Sequence, residues 1–363
     1  MPPAPGLTGE TLREIIHPTL SGPRLRLVLS NVFGNAPLVL DAVRVAQSAG
    51  ASAISPATDT AVTFNGSQAI TIPPGASLLS DPVSFAVVAQ RDIAVSLSVR
   101  SAPAALTGHP GSRTTSYIQA GDLAGAADLP KAHAVDHWYL LAEVDVPAAP
   151  PASAVIVIGD SITDGRGSTT NGNNRWPDNL ARRLEADPAT AGIAVLNQGI
   201  GGNALLHGGL GPTALARFDR DVLGPCGGRW LIVFEGINDL GGATGARAHG
   251  RPATTAADLI GALRQIAERG HSHGLRVYGA TITPFSGFTM YYTPESEADR
   301  RAINQWIRTT SELDAVIDFD AAVRDPADAS RLVAAYDCGD HLHLSVAGYE
   351  RLAASIDLKL FQP

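Results

Sequence analysis

Ser161, Asn238, Asp340 and His343 have the side-chain types of a nucleophilic catalyst. A serine hydroxyl is a weak nucleophile and needs an adjacent base. Histidine is the usual base, and a carboxylate fixes its tautomer and orientation. A tetrahedral oxyanion needs fixed donors, which an asparagine amide and glycine N–H groups can supply. The chemistry these types fit together is acyl transfer.

Four separated segments carry these residues. Gly159-Asp160-Ser161-Ile162-Thr163-Asp164-Gly165 follows the apolar run Ala154–Ile158. Asn197-Gln198-Gly199-Ile200-Gly201-Gly202-Asn203 follows the strand candidate Ile193–Asn197, and Gly236-Ile237-Asn238-Asp239 follows Trp230–Glu235. Asp340-His341-Leu342-His343 comes after Ala315–Asp318 and before the last helix candidate, Val346–Leu358. A further strand candidate is Arg276–Thr281, and further helix candidates are Pro177–Ala186, Thr213–Val222, Thr255–His273 and Ser296–Thr310. Buried apolar strands alternating with helices predict a doubly wound parallel sheet over residues 151–363. Ligands bind at the carboxyl ends of such strands, where all four segments fall.

Residues 1–150 have a different pattern. Strand candidates are Arg24–Leu29, Leu38–Val45, Ala61–Phe64, Ala69–Ile72, Val83–Val88, Ile93–Val99 and Trp138–Val146, with a short helical piece near Gly121–Ala127. Turn clusters such as Asn65-Gly66-Ser67 and Pro73-Pro74-Gly75 separate them, so a β-sandwich or jelly-roll accessory domain is expected. Val146-Pro147-Ala148-Ala149-Pro150-Pro151 marks the boundary.

The 363 residues are 45% hydrophobic and 17% charged, enough for two or three globular domains. The net charge is −8, and Lys131 and Lys359 are the only lysines, so the cations are almost all arginine. No basic stripe with interleaved aromatics exists, which argues against a nucleic-acid partner. No apolar run reaches the roughly 18 residues of a membrane span. The N-terminus lacks the basic-then-apolar pattern of a signal peptide, which leaves a cytoplasmic location or a secreted protein stripped of its signal. Cys226 precedes an apolar run and Cys338 lies in the loop with Asp340. A strand length of roughly 20 Å should part them, so two free thiols are expected rather than a disulfide.

The four segments resemble the blocks of the SGNH (GDSL) hydrolase family over residues 154–358: Gly-Asp-Ser, Gly, Gly-x-Asn-Asp and Asp-x-x-His, in that order. The resemblance implies a flavodoxin-like sheet and a serine ester hydrolase without metal or organic cofactor. Ser161 would be the nucleophile, His343 the general base and Asp340 its orienting acid. Ser161 N–H, Gly202 N–H and the Asn238 amide would form the oxyanion hole, with Gly202 preferred over Gly201 because Asn203 follows it. The long segment Asp164–Trp176, with Thr11–Ile16 and Leu29–Gly34, is similar to a two-domain bacterial branch of arylesterases and acylhydrolases, some linked to polysaccharide breakdown. Short-chain acyl esters, aryl or acetylated carbohydrate, are the implied small-molecule substrates. The residues leave the oligomeric state open.

Other readings compete at each position. Asp160 and Asp239 read as structural caps of the turns beside them. His341 and His343 form a His-x-His pair that would suit a metal-dependent hydrolase, but a third ligand at suitable spacing is missing. His271 and His273 end a helix and read as solvated. A Cys338 nucleophile would leave Ser161 and Asn238 without a role, and no Gly-x-Ser-x-Gly elbow marks an α/β-hydrolase. Phe285, Phe288, Met290, Tyr291 and Tyr292 in segment 284–294 form either a docked lid or a substrate wall, with the wall preferred, and Trp176 either lines the site or packs in the core. A different function would make the β domain dominant as a carbohydrate binder, with Tyr117, Trp138 and Tyr139 stacking on sugars. A broad lipase-like acylhydrolase is the remaining alternative.

Overall fold

A computed structural model describes residues 5–148 and 152–362. The chain forms two compact units, residues 1–149 and 150–363. Residues 149–151 of the expected boundary, and residues 1–4 of the N-terminus, lie outside the described residues.

The first unit is β-rich. Its largest sheet is antiparallel and has eight strands, with Glu10–Ile16 and Leu38–Gly50 flanking Ile93–Ser101 at the centre. A three-stranded sheet of Leu141–Asp145, Arg26–Ser30 and Ser77–Leu79 shares one core with it. Leu12, Leu40 and Leu97 enter that core from the large sheet, and Leu27 and Leu29 from the small one. The two sheets thus meet at one apolar core, while the central strand is buried without a break from Ile93 to Val99. Val83–Val88 alternates buried and exposed as a strand should, yet among the described residues its β-pairing is the isolated bridges Leu25↔Val83 and Gly22↔Val87. The run Trp138–Val146 is cut at Leu140, whose φ of 63° turns the chain from a two-stranded ribbon into the three-stranded sheet. Gly121–Ala127 forms turns rather than a helix, and Gly121 has a φ of 96°. Glu10–Ile16 and Ser116–Ala120 are strands the periodicity did not single out.

The second unit holds a five-stranded, all-parallel sheet of Ser153–Gly159, Ile193–Gly199, Gly228–Phe234, Arg276–Ala280 and Ala315–Ile317. Its spatial order is second, first, third, fourth, fifth. That is the flavodoxin-like doubly wound order, and its topological switch point lies between the first and third strands. Ile156, Val157 and Ile158 are all fully buried, as strands covered on both faces must be. The flanking helices include Trp176–Ala186, Ala256–Ser272, Pro294–Thr309 and Val346–Ser355. The expected helix Thr213–Val222 is α-helical over Ala214–Phe218 and continues as one π turn, Asp219–Leu223. Ile237–Ala248 is a helix the sequence reading did not include. Its Gly241, Gly242 and Gly245 dilute the helical pattern, since glycine is a poor helix former. No described helix is long and apolar enough to cross a membrane. Cys226 and Cys338 are both exposed, with no disulfide between them.

Candidate active site

Ser161 sits on a one-turn helix, Ser161–Asp164, directly after the first strand. Asp160 caps that turn by accepting the Ile162 N–H at 2.8 Å. Two paired strand ends make room for it. Gly159 and Gly199 face each other in register, and a Cβ on either would collide with the turn: 2.2 Å from Thr163 Oγ1 for Gly159, 2.4 Å from Asp164 N for Gly199. The hydroxyl is therefore delivered at the switch point by a turn that only small neighbours allow.

His343 reaches Ser161 from the loop before the last helix. Its Nε2 lies 2.8 Å from Ser161 Oγ, and its Nδ1 lies 2.7 Å from Asp340 Oδ2. Asp340 Oδ1 accepts the backbone N–H groups of Leu342 at 3.0 Å and His343 at 2.8 Å. Burial alone would raise the Asp340 pKa. The His343 N–H, its imidazole and the Leu342 N–H outweigh burial and hold it at about 2. Asp340 is thus ionised wherever the protein would work, and the imidazole between it and Ser161 can take up a proton from the hydroxyl.

Potential anion donors lie on the segments that follow the first three strands. Gly201 N–H is occupied by Asp164 Oδ2 at 2.8 Å, whereas Gly202 N–H and Ser161 N–H have no acceptor among the described residues. Gly202 has a φ of 74°, a left-handed conformation that glycine adopts readily. Asn238, at the start of the helix after the third strand, is buried. Its Nδ2 donates to Asn203 O at 2.7 Å and its Oδ1 accepts from Tyr291 Oη at 2.9 Å. One Nδ2 hydrogen is left over, since an amide carries two. Asp239 accepts the N–H groups of Leu205, Leu206 and His207, which ties the loop after Asn203 to the third strand's helix.

Beneath these residues lies a buried ionic centre that the sequence reading missed. Arg217 is fully buried and donates to Asn203 Oδ1 (2.9 Å), Gln198 O (2.6 Å), Gly159 O (3.1 Å), Asp221 (3.1 Å) and Glu235 Oε1 (3.4 Å). It therefore joins the carboxyl ends of the first three strands. Burial pushes Asp160 up to about 7, with the negative charges of Asp239 and Asp164 adding to the shift and the Ile162 N–H and Arg217 opposing it. Burial, then Asp160, also raises Glu235 well above the carboxylate range against the pull of Arg217, and Glu235 Oε2 has no hydrogen-bond partner among the described residues. Burial raises Asp239 as well, partly offset by the N–H groups it accepts. Arg217 stands in the polar run Arg217-Phe218-Asp219-Arg220-Asp221, where nothing in the spacing distinguishes a buried cation from solvated ones.

The expected aromatic wall is smaller than the sequence suggested. Trp176 is fully buried and packs edge-on against Phe319 at 5.1 Å. Phe285 is likewise fully buried against Tyr292 at 5.9 Å. Neither presents surface to a substrate, so both are core residues. Phe288, Tyr291 and Tyr292 are half-buried. His341 has a φ of 64° and pairs with Asp337 at 2.6 Å, away from the His343 chain. Among the described residues, Asp337, Cys338 and Asp340 are the group of potential metal ligands that lie within 4.8 Å of one another. It includes neither histidine, and both its carboxylates already accept from an imidazole.

The GDSL-like lipase/acylhydrolase family matches residues 157–351, a span that contains every residue of this arrangement. The chain belongs to this family. It is a carboxylic ester hydrolase. No curated protein matches it in sequence. Among solved structures, it is similar to a protein of the G-D-S-L family from Desulfitobacterium hafniense assigned as lipolytic, at 20% identity and a TM-score of 0.42, covering 56% of this chain and 97% of that one. It is also similar to a catalytic mutant of an acetylxylan esterase from Geobacillus stearothermophilus, at 23% identity and a TM-score of 0.43, covering 56% and 93%.

Proposed function

We propose that this acylhydrolase works through a covalent acyl-enzyme on Ser161. His343 Nε2 takes the Ser161 proton as Oγ attacks the ester carbonyl. Asp340 holds the imidazole in the required tautomer and stabilises its charge. Ser161 N–H, Gly202 N–H and the remaining Nδ2 hydrogen of Asn238 bind the oxyanion. His343 returns the proton to the leaving alcohol, and the same base then activates water for deacylation. The observation that carries this reading is the continuous Ser161–His343–Asp340 chain, at 2.8 and 2.7 Å, beside two N–H groups with no acceptor among the described residues.

Short-chain acyl esters, aryl or acetylated carbohydrate, are the proposed substrates. In support, the Leu210 side chain lies against Gly202, only 2.9 Å from where a Cβ there would stand, and takes up room next to one donor. The carbohydrate-binding alternative has less support. Tyr139 is buried, and the Trp138 indole donates to Ile15 O at 3.2 Å.

Ser161→Ala is expected to abolish hydrolysis of a short aryl ester while leaving the melting temperature unchanged. Full activity in that variant would overturn the mechanism. The substrate is tested with aryl esters of increasing acyl length, run beside acetylated xylan and glycerol esters. A steep fall beyond short chains supports the proposal, and a flat profile replaces it with a broad lipase-like acylhydrolase.

A further inference from the structure

We propose that Tyr291 is a positioning residue for the oxyanion hole: its hydroxyl holds the Asn238 amide in the one orientation that leaves an Nδ2 hydrogen for the developing oxyanion. The inference rests on the reading of Asn238 as an oxyanion donor.

The orientation of an asparagine amide is set by its hydrogen-bond partners. Here the partners decide it. Asn203 O is a backbone carbonyl and can only accept, so the atom 2.7 Å from it is the amide nitrogen. The other amide atom is then the oxygen, and the Tyr291 hydroxyl 2.9 Å away donates to it. Asn χ2 is a soft, roughly two-fold torsion. With one anchor, the amide can turn and present Oδ1, an acceptor, to a negative charge. With anchors at both ends, a flip would set Oδ1 against the Asn203 carbonyl oxygen and would force the Tyr291 hydroxyl to turn from donor to acceptor.

Tyr291 is itself held for this task. Its carbonyl accepts from Thr244 Oγ1 at 2.7 Å and Ser296 Oγ at 2.9 Å. Its ring packs edge-on to Phe288 with centroids 4.9 Å apart. The opposing position on the Asn238 helix is Gly241, where a Cβ would lie 2.3 Å from Tyr291 Cδ1. Glycine is a costly residue in a helix, and here its missing side chain is what admits the ring. Burial, and next the charge of Asp160, raise the Tyr291 pKa, which keeps the hydroxyl a donor. Tyr291 thus acts through Asn238 rather than on the substrate, a role distinct from the substrate wall its sequence position suggested.

The experiment is a double-mutant cycle of Tyr291→Phe and Asn238→Ala in the full chain, with a short aryl ester as substrate and a boronic acid as the tetrahedral analogue. Tyr291→Phe is expected to lower kcat about 10-fold with KM unchanged, and to weaken boronate binding by about the same factor. Asn238→Ala is expected to lower kcat by on the order of 10²–10³. In that background Tyr291→Phe should cost nothing more. Gly241→Ala, which displaces the ring and keeps the hydroxyl, should show the same kcat loss with KM unchanged. Full kcat in Tyr291→Phe beside a crippled Asn238→Ala overturns the proposal and spares the oxyanion reading. Full kcat in Asn238→Ala overturns the reading itself. Additive losses in the cycle also overturn the proposal, because they make Tyr291 a structural residue unconnected to the amide.

Discussion

Replacing Asp160 with Asn isolates the electrostatic cost of building the serine turn over buried carboxyl groups. Asp160 is buried, and its Oδ1 accepts the Ile162 N–H. Its pKa is pushed up to about 7 from an ordinary 3.8, first by burial and then by Asp239 and Asp164. Between those two values the folded protein keeps a proton that the unfolded chain has released. Folded molecules bind more protons there, so stability falls as pH rises through the window and levels off above about 7. About three units correspond to ~4 kcal/mol at full ionisation, of which roughly 3 kcal/mol accrues between pH 5 and pH 8.5. Asparagine still accepts from Ile162 N–H and remains a good helix cap, but it has no proton to lose. It also relieves Glu235, whose raised pKa owes part of its shift to the Asp160 charge. Urea unfolding of both proteins, followed by tryptophan fluorescence, measures the difference. Trp176, Trp230 and Trp306 report on the second unit, against Trp138 in the first. Asp160→Asn should gain on the parent as pH rises, by roughly 3 kcal/mol over that range. A gap between the two that stays constant from pH 5 to pH 8.5 would refute the reasoning.

Two further perturbations test the same centre. Arg217→Met removes the guanidinium that joins three strand ends and leaves Glu235 without its cation. It should cost about 3–5 kcal/mol at pH 8 and less at pH 5, where Asp160 is protonated and the guanidinium balances one charge fewer; equal losses at both pH values would contradict the ionic account. Asp340→Asn should lower kcat by on the order of 10⁴ with little change in KM, because the amide no longer fixes the His343 tautomer. A kcat within a few-fold of the parent would remove Asp340 from the proposed triad.

What could be read from the chain follows from how local each signal is. The apolar runs Ala154–Ile158 and Trp230–Glu235 announce two-sided burial through composition alone, so the parallel sheet was visible. Ser161, Asn238, Asp340 and His343 were legible because each lies in a short segment at a strand end or before a helix. A parallel sheet brings such segments to one edge. The helix Ile237–Ala248 was hidden by its three glycines, of which Gly241 makes room for Tyr291. Phe285 read as a lining residue, and Trp176 as either lining or core, because an aromatic in a loop or beside a candidate site segment has no periodicity to say which way it faces.

Sequence by itself therefore determined the architecture of the second unit, the family and the side chains that the structure joins as Ser161–His343–Asp340. Tertiary structure alone decided which glycine N–H is open, since Gly201 is claimed by Asp164 from another segment. It alone placed Arg217 under the first three strand ends and set Tyr291 against Asn238. Spacing along the chain records what neighbours do to each other. Hydrogen-bond occupancy, burial of a charge and amide orientation are set by groups far apart in sequence, and become definite only when the sheet has assembled them.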